Sequence, residues 1–388
     1  MLSEKSRPVI EATLPLIGSR IGHITPVFYQ KMFAAHPELL DGVFNTANQG
    51  SGEQPQALAG SIAVFATHLL AHPDTYPETM LSRIAHRHTS LGVTAEQYDI
   101  VYEHLFAAIA EDLAEVITAE IADAWTEVYW LMAHALIALE RDLYGIQANN
   151  QHWAPWRIVH REEHGDSAVT LEFEPADETP VTAAVAGQYV SVRVALPSGL
   201  RQARQFTLTG GRGTGRRITV RRDRDGAVSP VLCDALPVGS IVDLSNPYGD
   251  VVLATGEHPL ILASAGIGST PTAAILRSLA EDRSTRAVTV LHADRSGADW
   301  ALHAQIAADI AALESATLRT WMEEPEEGAH GGYMSLDGVD LPADAELYIC
   351  GPQPFMKSIR EQALAAGLPA RSIHYEIFGP DVWLPATA

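Results

Sequence analysis

The segment RIAHRHTSL, residues 83–91, places two histidines two residues apart. On a helix each residue turns the chain by about 100°, so the two rings face different sides. Leu81, Ile84 and His88 fall at i, i+3 and i+7 on one apolar stripe, whereas His86 shares a polar face with Ser82, Arg83 and Ser90. His88 is therefore the inward residue, either a satisfied core imidazole or a metal ligand. Two more polar groups interrupt apolar stripes. Glu140 shares the stripe of Trp125, Tyr129, Met132, Leu136 and Leu143, and Tyr98 shares a face with Val101, Tyr102 and Leu105. A carboxylate in that position needs a partner or a route to solvent. A metal-ligating histidine gives its second N–H to such a carboxylate or hydroxyl, which fixes the tautomer and strengthens the ligand. Tyr29, beside Phe28, and Gln54, one turn before Leu58, add polar groups to largely apolar faces. An edge aromatic and an exposed first-turn residue are the alternatives for these two.

A second kind of chemistry is suggested by AGIGSTP, residues 265–271, which follows an apolar strand-like run and opens a helix-like one. Glycines there let a dinucleotide phosphate approach backbone N–H groups at a helix N-terminus. The loop is not G-x-G-x-x-G, and a plain strand–turn–helix connection explains it equally well. Eight arginines lie between Arg201 and Arg224 in an otherwise acidic chain. They fit a small anionic ligand or a solvated hairpin face. Other patterns carry less. His68 and His72 stand at i, i+4, but Pro73 ends that helix and no third ligand is near. No G-x-S-x-G elbow supports a serine hydrolase, and EEPEE, residues 323–327, reads as a solvated acidic loop.

The elements that must position these groups change character along the chain. To about Gly145 the period is helical, with Ile21, Ile24, Phe28 and Met32 on one stripe and Gln54, Leu58, Ile62 and Phe65 on another. Pro73 and Gly145 are helix stops. ANNQHWAPWR, from Ala148, is a linker. From Trp156 the period falls to about two in WRIVHREE, AVTLEFEP, QYVSVRVAL and RRITVRR, which predicts a small antiparallel barrel or sandwich. From about His258, strands such as HPLILASAG and AVTVLHAD alternate with helical stretches, which predicts a parallel sheet with crossover helices.

Bulk properties agree with a multidomain protein. The chain has 388 residues, 47% of them hydrophobic, and a net charge of −22. That charge argues against nucleic acid and anionic membranes as partners. It is unevenly spread: −11 over residues 1–150, −1 over 151–256 and −10 over 257–388. The two cysteines, Cys233 and Cys350, suggest neither a disulfide framework nor a zinc site. No apolar run reaches the roughly 18 residues of a spanning helix, and the first residues lack a signal-peptide pattern. A cytoplasmic protein is the expectation.

The residues now carry a resemblance. FYQKMF, the Phe44–Asn45 turn, EQPQAL, HRHTSL, EQYDIV and LERDLY resemble, in this order, the globin domain of bacterial flavohemoglobins. The resemblance implies His88 as the proximal ligand of haem b, with Tyr98 and Glu140 hydrogen-bonded to it. It places Tyr29, Gln54 and Leu58 on the distal side and packs Phe44 on the haem. A more basic imidazole pushes electron density to iron, and two distal donors suit O2 activation rather than storage. Arg87, beside the histidine, is a candidate link between haem and flavin.

The remainder resembles the reductase part of the same family. RQFTL, residues 204–208, is similar to the flavin motif R-x-[YF]-[ST]. The resemblance implies that Arg204 binds the FAD diphosphate and that Gln205, Phe206 and Thr207 line the isoalloxazine. The family usually has tyrosine and serine where this chain has Phe206 and Thr207, so a hydroxyl worth about 1 kcal/mol is missing. Tyr189, Gly226, Val228 and Ser229 match further flavin positions, with Pro230 an unusual follower. In the loop Gly266, Gly268, Ser269, Thr270 and Pro271 match the NAD(P)H site. Cys350, Gly351 and Pro352 would flank the nicotinamide, and Glu376, Phe378, Gly379 and Pro380 would lie near the flavin. Arg295 and Ser296 end a strand where a 2′-phosphate could bind, a solvated loop being the alternative.

The resemblance implies three domains: a globin haem domain over 1–147, an antiparallel β-barrel FAD domain over 152–256, and an α/β parallel-sheet NAD(P)-binding domain over 257–388. It further implies a nitric oxide dioxygenase that turns NO and O2 into nitrate with electrons from NAD(P)H, without an obligate protein partner. A flavin reductase with a secondary haem role and a haem-based gas sensor or carrier are the alternatives. The hydride-accepting module argues against a sensor, and the paired donors Tyr29 and Gln54 argue against a plain flavin reductase.

Overall fold

A computed structural model describes residues 1–41, 53–210, 215–324 and 326–379, with the side chains of 53–57 and 59 left out of the description. Phe44 and Pro380 lie outside the described residues, and so does the side chain of Gln54. Close contacts gather the chain into two units. One comprises Met1–His152 with Ala195–Ala203, the other Trp153–Val194 with Arg204–Gly379.

The first unit is helical: α1 (Ser6–Ala35), α2 (Glu53–Ala71), α3 (Glu78–Leu91), α4 (Glu96–Asp112) and α5 (Ala119–Gly145). The helical stripes are the buried ones. Ile24, Phe28 and Met32 of α1 and Trp125, Tyr129, Met132 and Leu136 of α5 belong to one core, against which Leu58 and Ile62 of α2 pack. Each fully buried side chain of this size contributes about 1.5–3 kcal/mol, so this face holds the helices together. Helix stops fall where the residues require: α2 ends two residues before Pro73, and α5 ends on Gly145. Helix α3 ends at Gly92, whose φ of 76° supplies the left-handed cap. The Val93 and Gly92 N–H groups then satisfy the carbonyls of His88 and Thr89.

Two sheets follow, which apart from Ala195 and Arg201–Ala203 lie in the second unit. Strands β1 (Ala154–His164), β2 (Ala168–Pro175), β3 (Tyr189–Ala195), β4 (Arg201–Thr207), β5 (Arg216–Arg221) and β6 (Ile241–Leu244) form one in the order β4-β3-β6-β1-β2-β5. The pairs β1–β2, β1–β6, β2–β5 and β3–β6 are antiparallel. Just past β4, Leu208 bridges Ile218 of β5 and the Thr209 N–H donates to the Arg217 carbonyl at 2.8 Å. This brings the two ends of the strand order together at that point, as in a small barrel.

The other sheet contains β7 (Leu260–Ala265), β8 (Val288–Asp294), β9 (Ala316–Met322), β10 (His330–Gly331), β11 (Glu346–Cys350) and β12 (Ile373–Glu376) in the order β10-β9-β8-β7-β11-β12, all pairs parallel. Helices α6 (Ser269–Glu281), α7 (His303–Ala311) and α8 (Gln353–Ala365) make the crossovers. The run LILASA of β7 is buried on both faces, as a central parallel strand must be. The chain moves outward from β7 to β8 and β9, then returns to the other side of β7 as β11. That reversal is the switch point at which open α/β sheets bind ligands, beyond the carboxyl ends of the strands. No helix among the described residues is long and apolar enough to cross a membrane.

Candidate functional site

The helical unit brings three separated residues to one point. His88 Nδ1 lies 2.8 Å from Glu140 Oε1 and 3.0 Å from the Tyr98 hydroxyl, and that hydroxyl donates to the same carboxylate oxygen at 2.5 Å. They come from α3, α5 and α4. Glu140 is only 3% exposed, so its stripe position does not lead to solvent. A buried carboxylate is tolerable because two donors converge on it. Burial, reinforced by the Glu140 charge, pushes the Tyr98 phenol well above its ordinary value, so it stays a donor. Tyr129, which periodicity marked only as core, donates to the Tyr98 carbonyl at 2.6 Å and fixes the backbone of that group.

With the Nδ1–H donating to Glu140, the imidazole lone pair lies on Nε2. That is the donor set an iron ligand needs, and the residues present fit a haem on that side. Tyr29 is buried in the same core, its ring 5.6 Å from Phe33 and 4.6 Å from Phe28. Burial raises its phenol, leaving a neutral donor. Leu58 is half-buried against this core, and Arg87 is half-buried on α3. Gln54 lies in the first turn of α2.

In the barrel, β4 carries Arg204, Gln205, Phe206 and Thr207 in succession. Gln205 Nε2 donates to Ser191 Oγ at 3.2 Å, a β3 partner that the motif alone did not reveal. Thr207 is buried, and the Thr270 hydroxyl donates to it at 3.4 Å. Tyr189 exchanges backbone hydrogen bonds with Tyr248 at 2.8 and 2.9 Å. Gly249 has φ of 129°, and a Cβ there would meet the Tyr189 ring at 3.2 Å. Val228 is buried, a Cβ on Gly226 would press on Asp223 Oδ2 at 3.0 Å, and the Ser229 hydroxyl accepts from the Asp223 N–H while donating to the Asp223 carbonyl. Pro230 directly precedes a helical turn, Val231–Ala235, where its missing N–H costs nothing. Arg204 with a run of polar β4 side chains suits a diphosphate and a flavin ring.

At the switch point the glycine loop lies directly on the loop after β11. A Cβ on Gly268 would meet the Cys350 carbonyl oxygen at 2.3 Å and the Gly351 nitrogen at 2.7 Å, so only glycine fits. A Cβ on Gly351 would in turn strike Phe355 and Ala265. Gly266 has φ of 55°, a conformation that favours glycine. The Ser269 hydroxyl, 1% exposed, has no hydrogen-bond partner among the described residues. An orphaned buried hydroxyl at the first turn of α6 fits a place where a phosphate could be received. Thr270 and Pro271 follow it, both buried. Cys350 pairs in register with Glu376 of β12. Burial, with a smaller push from Glu376, raises its thiol well above the usual range. Pro352 precedes α8, Phe378 is 48% exposed, and Gly379 has φ of 130°. Arg295 and Ser296 both bind the Asp299 carboxylate, a contact the sequence reading did not include, although Arg295 and Asp299 stand at i, i+4. Among the described residues no cluster of three metal-ligating side chains occurs, and His68 and His72 face each other with the Thr75 hydroxyl.

The globin family model matches residues 27–136, and that of the oxidoreductase NAD-binding domain matches residues 262–361. A flavohemoprotein of Rhizobium meliloti is 36% identical and covers 99% of this chain and 100% of its own. One of Chromobacterium violaceum is also 36% identical, over 98% of each chain. Among solved structures, flavohemoglobin from Malassezia yamatoensis with bound FAD and heme superposes with a TM-score of 0.95 at 45% identity, covering 97% of this chain and 100% of that one. The FAD/NAD-binding domain of a nitric oxide dioxygenase from Vibrio cholerae, 32% identical, covers 59% of this chain and 100% of that one with a TM-score of 0.56.

Proposed function

The chain belongs to the flavohemoprotein family, and from that premise we propose that it is a cytoplasmic NAD(P)H-dependent nitric oxide dioxygenase with functional domains at 1–147, 152–256 and 257–388. The observation that carries this reading is the His88–Glu140–Tyr98 cluster, in which buried Glu140 and Tyr98 hold a half-buried imidazole, in a chain that also holds an NAD-binding unit. When bound, haem b, FAD and NAD(P)H supply the redox chemistry, passing electrons from NAD(P)H through FAD to the haem, where NO and O2 give nitrate.

The chain's own residues position and bias that chemistry. His88 offers Nε2 to iron, and Glu140 holds the Nδ1 proton and makes the imidazole a stronger donor. Tyr98 donates to the same carboxylate oxygen and so helps to fix its rotamer. Tyr29, neutral because it is buried, would serve as a distal donor with Leu58 as an apolar wall, and the family resemblance would add Gln54 as second donor and Phe44 as the aromatic against the haem. Arg204 would neutralise the FAD diphosphate, while Gln205, Phe206 and Thr207 would set the face of the flavin, with Tyr189, Gly226, Val228 and Ser229 around it. The turn from Gly266 to Pro271 leaves backbone N–H groups and the Ser269 hydroxyl for NAD(P)H. Cys350, Gly351 and Pro352 would border the nicotinamide, and Glu376, Phe378, Gly379 and, by the family resemblance, Pro380 would border the flavin. Such preorganised positioning is what a protein contributes to a cofactor reaction.

The test is anaerobic mixing of haem- and FAD-loaded protein with NADH, followed by a pulse of O2 with NO. Reduction of the haem and nitrate formed in proportion to NO is the expected result. Flavin reduction with a silent haem would make the protein a flavin reductase instead. A reducible haem without nitrate would leave a gas carrier or sensor.

A further inference from the structure

The proximal cluster is one end of a series of rings that reaches the surface of the helical unit. The His88 imidazole and the Tyr98 phenol stand 6.1 Å apart, centre to centre, with His88 Nδ1 3.0 Å from the Tyr98 hydroxyl. Tyr129 is joined to Tyr98 by its own hydroxyl, which donates to the Tyr98 carbonyl at 2.6 Å. Beyond Tyr129 the rings pack directly. Tyr102 lies at 5.4 Å and Trp130 at 5.3 Å from it, and those two are 5.5 Å from each other. Trp130 then meets His134 at 5.3 Å. Burial falls along the way: Tyr98 and Tyr129 are each 7% exposed, Tyr102 and Trp130 are half-buried, and His134 is exposed.

Packing alone does not ask for these residue types. Tyr102 also lies 4.5 Å from Phe106 on α4, and aromatic pairs add about 0.5–1.5 kcal/mol beyond their buried area whichever rings are used. Phenylalanine or leucine would fill the half-buried positions equally well. Tyrosine and tryptophan differ from both in giving up an electron far more easily, and rings in contact pass it in short steps. Every member between the imidazole and the half-buried Trp130 is of that oxidisable kind. Tyr102 is held in place by the Thr126 hydroxyl at 3.1 Å.

We propose that Trp130 accepts single electrons from a phenol at the surface and that Tyr102, Tyr129 and Tyr98 carry them inward to the haem site. The reaction served is peroxide reduction. One H2O2 takes two electrons and two protons and becomes two H2O. Two phenol molecules each give one electron to Trp130 and one proton to solvent, and leave as phenoxyl radicals. Trp130 is oxidised and refilled for each electron, so the protein is unchanged overall. The net charge of −11 over residues 1–150 favours a neutral phenol over an anionic one. This activity needs haem but neither NADH nor NO, so it goes beyond the dioxygenase reading and does not depend on it.

The test mixes the ferric, haem- and FAD-loaded full chain with hydrogen peroxide, without NADH. In the absence of a phenol, freeze-quench electron paramagnetic resonance should show an organic radical, and peptide mass spectrometry should find a nitroso spin trap attached to Trp130. With guaiacol as the phenol, Trp130→Phe, which keeps an aromatic ring, should slow guaiacol oxidation at least tenfold. The peroxide-driven change in haem absorbance should keep its wild-type rate in that variant. Trp130→Tyr should recover at least half of the guaiacol rate, a rescue that a merely structural role does not produce. Trap adducts only at residues outside the series, or guaiacol oxidised by Trp130→Phe at the wild-type rate, would overturn the proposal. The nitrate measurement on wild-type protein judges the dioxygenase reading separately, because the peroxide reaction contains neither NO nor NADH.

Discussion

Glu140 Oε1 lies 2.8 Å from His88 Nδ1, although the two residues sit on different helices 52 positions apart. The carboxylate is buried and has Tyr98 as its other donor. Removing its charge therefore reaches the imidazole directly. Glu140→Gln is expected to lower the iron–histidine stretching frequency, raise the haem midpoint potential and reduce nitrate turnover about 10- to 100-fold. Resonance Raman spectroscopy, redox titration and stopped-flow assay read the three effects. An unchanged stretching frequency would remove Glu140 from any role on the imidazole.

The buried tyrosines set the alkaline limit of the helical unit. Burial raises the phenols of Tyr29, Tyr98 and Tyr129 above the ordinary value of 10.0, with Glu140 adding to the effect at Tyr98 and Asp99 at Tyr129. The folded state then keeps protons that the unfolded chain releases above that pH. The contribution is fully present below pH 10.0 and is lost as pH rises through the folded values. Denaturant unfolding at several pH values should show stability falling above pH 10.0, while native absorbance at 295 nm shows these phenols still protonated. Tyrosinate from all three in the folded protein at that pH would contradict this.

Gly268 tests the contact between the two loops of the nucleotide site. A Cβ there meets backbone atoms of Cys350 and Gly351, which cannot rotate away. Gly268→Ala is expected to cost about 1–3 kcal/mol of stability by overpacking and to weaken NADH binding at least tenfold. Thermal unfolding and equilibrium titration measure the two. Normal binding with unchanged stability would show that the loops separate at no cost.

Phe206 tests the flavin strand. Phe206→Tyr restores a phenol beside Gln205 and Thr207, and one neutral hydrogen bond worth about 1 kcal/mol would tighten FAD about fivefold. Fluorescence titration of the flavin-free protein decides this. Unchanged affinity would mean that the hydroxyl finds no partner.

The helical stripes were legible because burial follows the 3.6-residue period, and Glu140 and His88 stood out as polar members of apolar faces. Their meeting was not legible, since periodicity gives a face and not the neighbour across it. Strand alternation indicated the barrel, yet its closure through Leu208 and Ile218 depends on register set by tertiary packing. The Thr270–Thr207 contact joins residues 63 positions apart and leaves no local trace. Asp299 is the opposite case: its i, i+4 spacing from Arg295 is plain in the sequence, but the consequence appears only when Ser296 and Glu324 close around the same group. The run EEPEE reads as a solvated acidic loop, and Glu323, Glu324, Glu326 and Glu327 are exposed; what the sequence did not show is that the backbone N–H groups of Glu323 and Glu324 bond to the end of β8.

The two cysteines have a consequence for survival in the chemistry proposed. Cys350 is enclosed by the sheet with its thiol pushed far up, and burial raises Cys233 to about 11. Nitrosating and oxidising agents attack thiolates, and at neutral pH neither residue offers an appreciable fraction of one. A catalyst working amid nitric oxide and oxygen would thus carry no reactive thiolate for self-inactivation or for cross-linking to its neighbours. Its durability under nitrosative stress would then be limited by cofactor loss and unfolding, not by damage to its own thiols.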